Sequence, residues 1–183
     1  MWFLPDTSLQ PANLIESFYS FNARSLVTNL ADFHLFVLLK MPAVAAVTET
    51  WLNDLYTDTF VCPPGYTVFR KDRLSRGGDV AIFVRKDIHA ELELIDCLYN
   101  NLEVICVDLT FVSQKIRVFT CYRPPYYANE DVQYVENSIL VLSRLCIGAQ
   151  KNIVGYLETS SSISLGLTGL TISRPLNNAT INL

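Results

Sequence analysis

The sequence is poor in the residues that metal clusters and disulfide scaffolds need: five cysteines and two histidines in 183 positions. No two of Cys62, Cys97, Cys106, Cys121 and Cys146 lie closer than nine positions, so no Cys-x-x-Cys pair exists. The odd count does not close a disulfide framework. The thiols read as reduced and mostly buried in a reducing compartment, and zinc chemistry is excluded. His34 and His89 read as surface or structural histidines. Charge is scarce too, at 17% of residues, and 14 basic against 18 acidic side chains leave a net −4. The whole molecule therefore offers no general attraction for nucleic acid or an anionic membrane. The longest apolar stretch, 35–47, is interrupted by Lys40 and Pro42 and is too short to span a bilayer. Residues 1–10 lack a basic-then-apolar signal pattern. With half its residues apolar, the chain is expected to be one soluble, intracellular domain with an ample core.

What charge there is clusters. Between Arg70 and Lys86 lie six of the 14 basic residues against Asp72 and Asp79 only, a local +4 on a remainder of −8. A cationic patch on an acidic body is expected there.

Periodicity divides the chain into alternating elements. The run 17–23 (SFYSFNA) reads as a strand. From Ser25, a plausible N-cap, Leu26, Leu30, Phe33, Val37 and Leu38 recur at helical spacing. Pro42 stops that helix, and the apolar run 43–47 suits a strand covered on both faces. A strand, a helix and a second buried strand argue for a layered α/β fold. Strands are then predicted over 66–70, 80–84, 91–95, 103–111 and 116–122, with turn residues between them that favour antiparallel pairing. Asn129 can cap a second helix ended by Gly148, and another core strand begins at Asn152. Residues 159–173 hold eight Ser or Thr, and Glu158 and Arg174 are the only charges after Lys151. The organisation read from this is a leader over 1–16, a domain over 17–155 and a Ser/Thr-rich tail over 156–183.

Several residues have chemistry to offer. Glu49 directly follows a buried strand, where a carboxylate is held rigidly enough to bind a hard cation such as magnesium; taken alone it is equally a solvated strand end. Asn22 ends the first strand in a comparable place. Tyr122 and Arg123 end another strand before Pro124-Pro125, and a tyrosine hydroxyl and a guanidinium both suit a phosphate. Ser75-Arg76-Gly77-Gly78 lacks the Gly-Lys-Ser/Thr continuation of a nucleotide P-loop and reads as a turn.

Together these pieces resemble a known family. Asn22-Ala23-Arg24-Ser25-Leu26, Thr48-Glu49-Thr50-Trp51-Leu52, Pro64-Gly65-Tyr66, Phe69-Arg70-Lys71-Asp72-Arg73, Arg76-Gly77-Gly78 and Tyr122-Arg123-Pro124-Pro125 come in the order and spacing of the endonuclease domain of LINE-type (non-LTR) retrotransposons. That domain belongs to the endonuclease/exonuclease/phosphatase superfamily, and the resemblance covers about residues 18–154. It implies a two-sheet α/β sandwich of the deoxyribonuclease I-like type. It also implies magnesium-assisted attack of water on a DNA phosphodiester, and hence DNA as partner and a nuclear setting. On that basis Glu49 is expected to bind the metal, Asn22 to orient phosphate or metal-bound water, and Tyr122 to contact the scissile phosphate. Arg70, Lys71, Arg73, Arg76 and Arg123 are expected to bind the DNA backbone.

The departures are as informative. The family has Gly-Asp-Phe-Asn after the strand that begins near Asn152, with catalytic Asp and Asn. This chain has Gly155-Tyr156-Leu157-Glu158. Tyrosine, with an unperturbed pKa of about 10, does not replace a carboxylate base near neutral pH. Glu158 is the only nearby carboxylate left to substitute. Asp79 follows Gly77-Gly78 where the family has glycine, adding negative charge to a patch expected to face DNA. The family's C-terminal Ser-Asp-His does not occur before Leu183, so a C-terminally truncated, catalytically compromised copy of the domain is expected. The alternative from another class is a non-catalytic module that binds DNA, another polyanion or a protein.

Overall fold

A computed structural model describes residues 17–72, 78–95, 103–112, 114–122, 140–141, 152–158 and 170–172, the last two segments as backbone. The described elements run β1 (Phe18–Asn22), α1 (Leu30–Lys40), β2 (Val44–Thr48), α2 (Asp58–Val61), β3 (Tyr66–Lys71), β4 (Val80–Arg85), β5 (His89–Leu92), β6 (Glu103–Thr110), β7 (Lys115–Tyr122), β8 (Asn152–Glu158) and β9 (Leu170–Ile172). They form two sheets, ordered β1-β2-β4-β3 and β5-β6-β7-β8-β9. The parallel β1–β2 pair is joined through α1, as a parallel crossover requires. The β2–β4, β3–β4, β5–β6 and β6–β7 pairs are antiparallel, while β7–β8 and β8–β9 are parallel.

The alternation of side chains along β2 and β4 builds two cores at once. Val44 and Ala46, with Val80, Ile82 and Val84, pack against Ile105, Val107, Leu109, Ile116 and Val118 of the second sheet. The intervening residues, Ala45, Val47, Ala81 and Phe83, pack against Phe33 and Val37 of α1 and Val61 of α2. A strand buried on both faces has no polar side to present, which is why 44–47 reads as an unbroken apolar run. The ring of Phe83 lies 4.8 Å from that of Phe33, which ties sheet and helix together.

Three local expectations are corrected. The first helix does not start from a Ser25 cap: Ser25 has φ +88°, outside helical geometry. Its N-cap is Asn29, which makes no side-chain cap bond. The Asn29 amide donates instead to the carbonyls of Ala23 and Ser25, at 2.9 and 3.1 Å, and holds the turn that precedes the helix. Nor does Leu38 share the buried stripe; it is 73% exposed. The strand expected over 91–95 pairs earlier, over His89–Leu92. Past residue 155, β8 continues through Glu158, and β9 lies beside it within the stretch read as a tail. The leader, the second helix apart from 140–141, and most of the tail lie outside the described residues.

The free thiols of Cys106 and Cys121 are buried. His34 donates a ring N–H to the Val61 carbonyl at 3.0 Å, and His89 meets Glu91 at the surface. Both fit the structural roles expected of them.

Tyr66 seals one end of the helix-side core, donating its hydroxyl to the Pro42 carbonyl at 2.6 Å. Burial pushes its pKa from 10.0 up to about 12. A phenol whose folded pKa lies above its unfolded value gives stability that is intact below pH 10 and lost as pH rises through 12. Tyr66→Phe is therefore expected to lower stability by about 1 kcal/mol at pH 7. Urea unfolding should show the wild-type advantage shrinking between pH 10 and pH 12.

Candidate functional site

Strand register brings a particular set of residues to one end of each sheet. In the first sheet Asn22 lies opposite Thr48, and Val80 lies opposite both Thr48 and Lys71. In the second, Tyr122 lies opposite Glu103 on one side and Glu158 on the other. The two ends coincide, because the Asp79 backbone N–H donates to Glu103 Oε2 across the sheets at 2.7 Å.

At that end the β1–β2 ladder runs on past the strands. Ala23, Ser25 and Leu26 donate backbone N–H groups to the carbonyls of Thr48, Glu49 and Thr50, each at 2.9 Å. The chain turns here through left-handed conformations that disfavour any residue with a Cβ. Of six described non-glycine residues with positive φ, five belong to this end: Arg24 (+43°), Ser25 (+88°), Glu49 (+50°), Trp51 (+54°) and Asp79 (+73°). Each costs on the order of 1–3 kcal/mol, and such strain persists where surrounding structure over-determines it, as at binding sites.

The strain aims two side chains at each other. Asn22 Nδ2 donates to Glu49 Oε1 at 2.8 Å. Asn22 Oδ1 in turn accepts the Arg24 backbone N–H at 3.0 Å. The carboxamide is thus fixed at both ends, and the Glu49 carboxylate is held with Oε2 making no hydrogen bond among the described residues. Just behind it the Thr50 hydroxyl is fully buried with no hydrogen-bond partner, as is that of Thr120 on β7. Orphaned buried hydroxyls point to a polar occupant beside them, water or ligand.

The sequence-predicted site residues divide into those brought together and those held elsewhere. Asn22 and Glu49 are in direct contact. Tyr122 is buried at the same end, on the face turned toward the first sheet. Glu158 is its ladder partner, and Tyr156 pairs with Thr120. Arg70 is not free for DNA: its guanidinium is ion-paired with Asp58 at 2.8 Å and Asp72 at 3.2 Å, and donates to the Tyr56 carbonyl at 2.7 Å. Lys71 is half-buried near Cys121 and Glu103; burial lowers its pKa, and those two groups partly oppose the shift. Arg73, Arg76 and Arg123 lie outside the described residues. Asp79 does not add its charge to an exposed patch, because it is 1% exposed.

Sequence reading passed over two residues. Glu103 opens β6, a run that also carries Asp108, so no side-chain pattern sets it apart. Arg24 stands in the Asn22 motif itself, exposed and in no ion pair among the described residues.

Comparison with known proteins places this architecture. No family model matches the chain, and no curated protein matches it either. Among solved structures it is similar to the endonuclease domain of TRAS1, a telomere-specific non-LTR retrotransposon, at 15% identity and TM-score 0.54, over 73% of this chain and 55% of that one. It is similar at the same identity and score to the 3'-5' exonuclease NExo from Neisseria meningitidis, over 75% and 55%. An AP endonuclease from Archaeoglobus fulgidus is 18% identical, with TM-score 0.51 over 69% and 49%. The chain spans about half the length of these structures. What it shares with them is the fold, a two-sheet, deoxyribonuclease I-like α/β sandwich.

The Asn22–Glu49 contact is testable by charge. Asn22→Asp sets a second carboxylate against Glu49, and two like charges at hydrogen-bond distance oppose ionisation. The variant is expected to lose about 1–2 kcal/mol at pH 7 and to recover most of it at pH 4, where one carboxyl holds a proton. Chemical denaturation at the two pH values measures both.

Proposed function

We propose that this chain is a nuclease-fold domain that engages DNA backbone phosphate at its Asn22–Glu49 end and hydrolyses phosphodiesters weakly or not at all. The observation that carries the reading is the 2.8 Å contact between Asn22 and Glu49, held by residues in left-handed conformations at the shared end of both sheets. Strain of that kind is costly to keep for a solvated strand end.

The residues present fit a single weakly held divalent cation. Magnesium is commonly bound by one or two carboxylates plus water and substrate phosphate. Glu49 supplies one carboxylate with a free oxygen, and Asn22 orients it. Among the described residues no group of three or more acidic, histidine or cysteine side chains comes together, and water and substrate phosphate would share the coordination with Glu49. When bound, the ion supplies charge neutralisation on a phosphate oxygen. The chain's own groups do the rest. Asn22 fixes the carboxylate, Tyr122 is a hydroxyl donor toward phosphate, and Arg24 is an exposed guanidinium beside the site. Arg73, Arg76 and Arg123 are further phosphate contacts on this reading, which gives DNA as the partner and the nucleus as the working place.

Hydrolysis asks for more. A positioned base or acid contributes about 10²–10⁴-fold, and the strand position at which the family has Asp is Tyr156, in β8 opposite Thr120. A phenol, whose unperturbed pKa is about 10, is a poor substitute for a carboxylate in taking a proton from water at neutral pH.

Nicking of supercoiled plasmid in magnesium should therefore be no faster for the wild type than for Glu49→Ala. Restoring the family residues with Tyr156→Asp and Glu158→Asn together is expected to raise nicking by roughly tenfold or more. Magnesium-dependent nicking by the wild type that vanishes in Glu49→Ala would contradict the reading and identify Glu158 as the substitute carboxylate. DNA binding should weaken linearly on a log–log salt plot, and Arg24→Ala should lower that slope by about 1, the value of one lost phosphate contact.

A further inference from the structure

One buried side chain near this end, Glu103, is used by neither the family motifs nor the proposed chemistry. It is 5% exposed, on the sandwich face of β6, two positions before Ile105 in the inter-sheet core. Its Oε2 accepts the Asp79 backbone N–H at 2.7 Å. Its carboxylate also lies directly under Gly78, where an added Cβ would collide with Oε2. The segment it grips, Gly78-Asp79, has φ of +86° and +73°. Both carbonyls of that segment face the turn after β2: Asp79 O accepts from Thr50 N and Gly78 O from Trp51 N, each at 3.4 Å. Thr50 is the residue after Glu49, and Glu49 and Trp51 are the left-handed pair that flanks it.

A continuous set of contacts therefore runs from the second sheet to the candidate metal carboxylate. Glu103 holds Asp79 and underlies Gly78, these two hold Thr50 and Trp51, and Glu49 then meets Asn22. The two 3.4 Å bonds are long for N–H donors and weak by themselves. The charge-assisted 2.7 Å bond to Glu103 is the strong member. Only glycine tolerates this closeness, because any Cβ at position 78 would displace the carboxylate.

We propose that Glu103 is the positioning residue of the Asn22–Glu49 site: a buried carboxylate on one sheet that sets the 78–79 turn and, through it, the left-handed turn that aims Glu49 from the other sheet. The Mn²⁺ arm of the test rests on the metal reading given above; the backbone arm does not.

Amide hydrogen exchange and Mn²⁺ titration of the full chain separate the possibilities. In Glu103→Ala the amides of Asp79, Thr50 and Trp51 should exchange about tenfold faster or more, while those of Val104, Val107 and Val118 keep their protection. Mn²⁺ affinity should fall by about 10-fold or more, as when a group that orients a metal ligand is lost. Glu103→Gln retains an acceptor oxygen and should restore exchange and affinity to within about twofold of wild type. Unchanged exchange at Thr50 and Trp51 in a folded Glu103→Ala overturns the proposal, as does failure of Glu103→Gln to restore it. If Glu103→Ala does not fold, Gly78→Ala displaces the same carboxylate from the opposite side. Faster exchange at Thr50 and Trp51 there supports the proposal, and unchanged exchange overturns it. A wild type that binds no Mn²⁺ overturns the metal reading alone, and the exchange results still decide the role of Glu103.

Discussion

The alternation of side chains along β2 and β4 is the constraint on which the rest of the molecule depends. Even-numbered residues of both strands face the second sheet, and odd-numbered ones face α1 and α2. A slip of one residue would exchange the two sets, placing Phe83 between the sheets and Ile82 under the helix. Neither core could absorb that exchange: Ala45 and Ala46 leave room where large neighbours intrude, and both residues are completely buried. The register that results fixes where the strands stop. Asn22, Thr48 and Val80 fall at one level, and Glu103 brings the second sheet to it. The site is the place where two well-packed sheets end together.

The fold was largely legible because its signals are short-range. Unbroken apolar runs at 44–47 and 80–84 mark strands buried on both faces, and Pro42 stops the helix before the first of them. Helix entry misled for a physical reason. Ser25 has the residue type of a cap, but the extended β1–β2 ladder captures its N–H for the Glu49 carbonyl and forces φ positive. The helix then starts a turn later. Leu38 sits where a 3.6-residue period reads inward, yet α1 turns it to solvent and buries Phe33 and Val37 instead.

The site was legible in its residues more than in its wiring. Asn22 and Glu49 stand 27 positions apart, and only their strand-end positions hinted that they meet. Adjacent cations proved unlike. Alternation along β3 gives Arg70 to Asp58 and Asp72 on one face and leaves Lys71 near Glu103 between the sheets. A sequence count of positive charge does not distinguish them. Glu103 was invisible for a related reason: its importance lies in a contact with a backbone N–H 24 residues away, and no side-chain pattern encodes that.

On the proposed reading the Asn22–Glu49 contact offers a place for phosphate, while Tyr156 stands where the family resembled in sequence has a carboxylate. On the same reading, a net charge of −4 makes any attraction to DNA a local matter and not one of the field of the whole molecule. The most direct measurement is anomalous scattering from crystals of the chain soaked in Mn²⁺ with a short DNA oligonucleotide. The account predicts a Mn²⁺ peak at the Glu49 carboxylate when DNA is present, with the phosphodiester intact. A peak elsewhere, or none while DNA occupies another face, would contradict it.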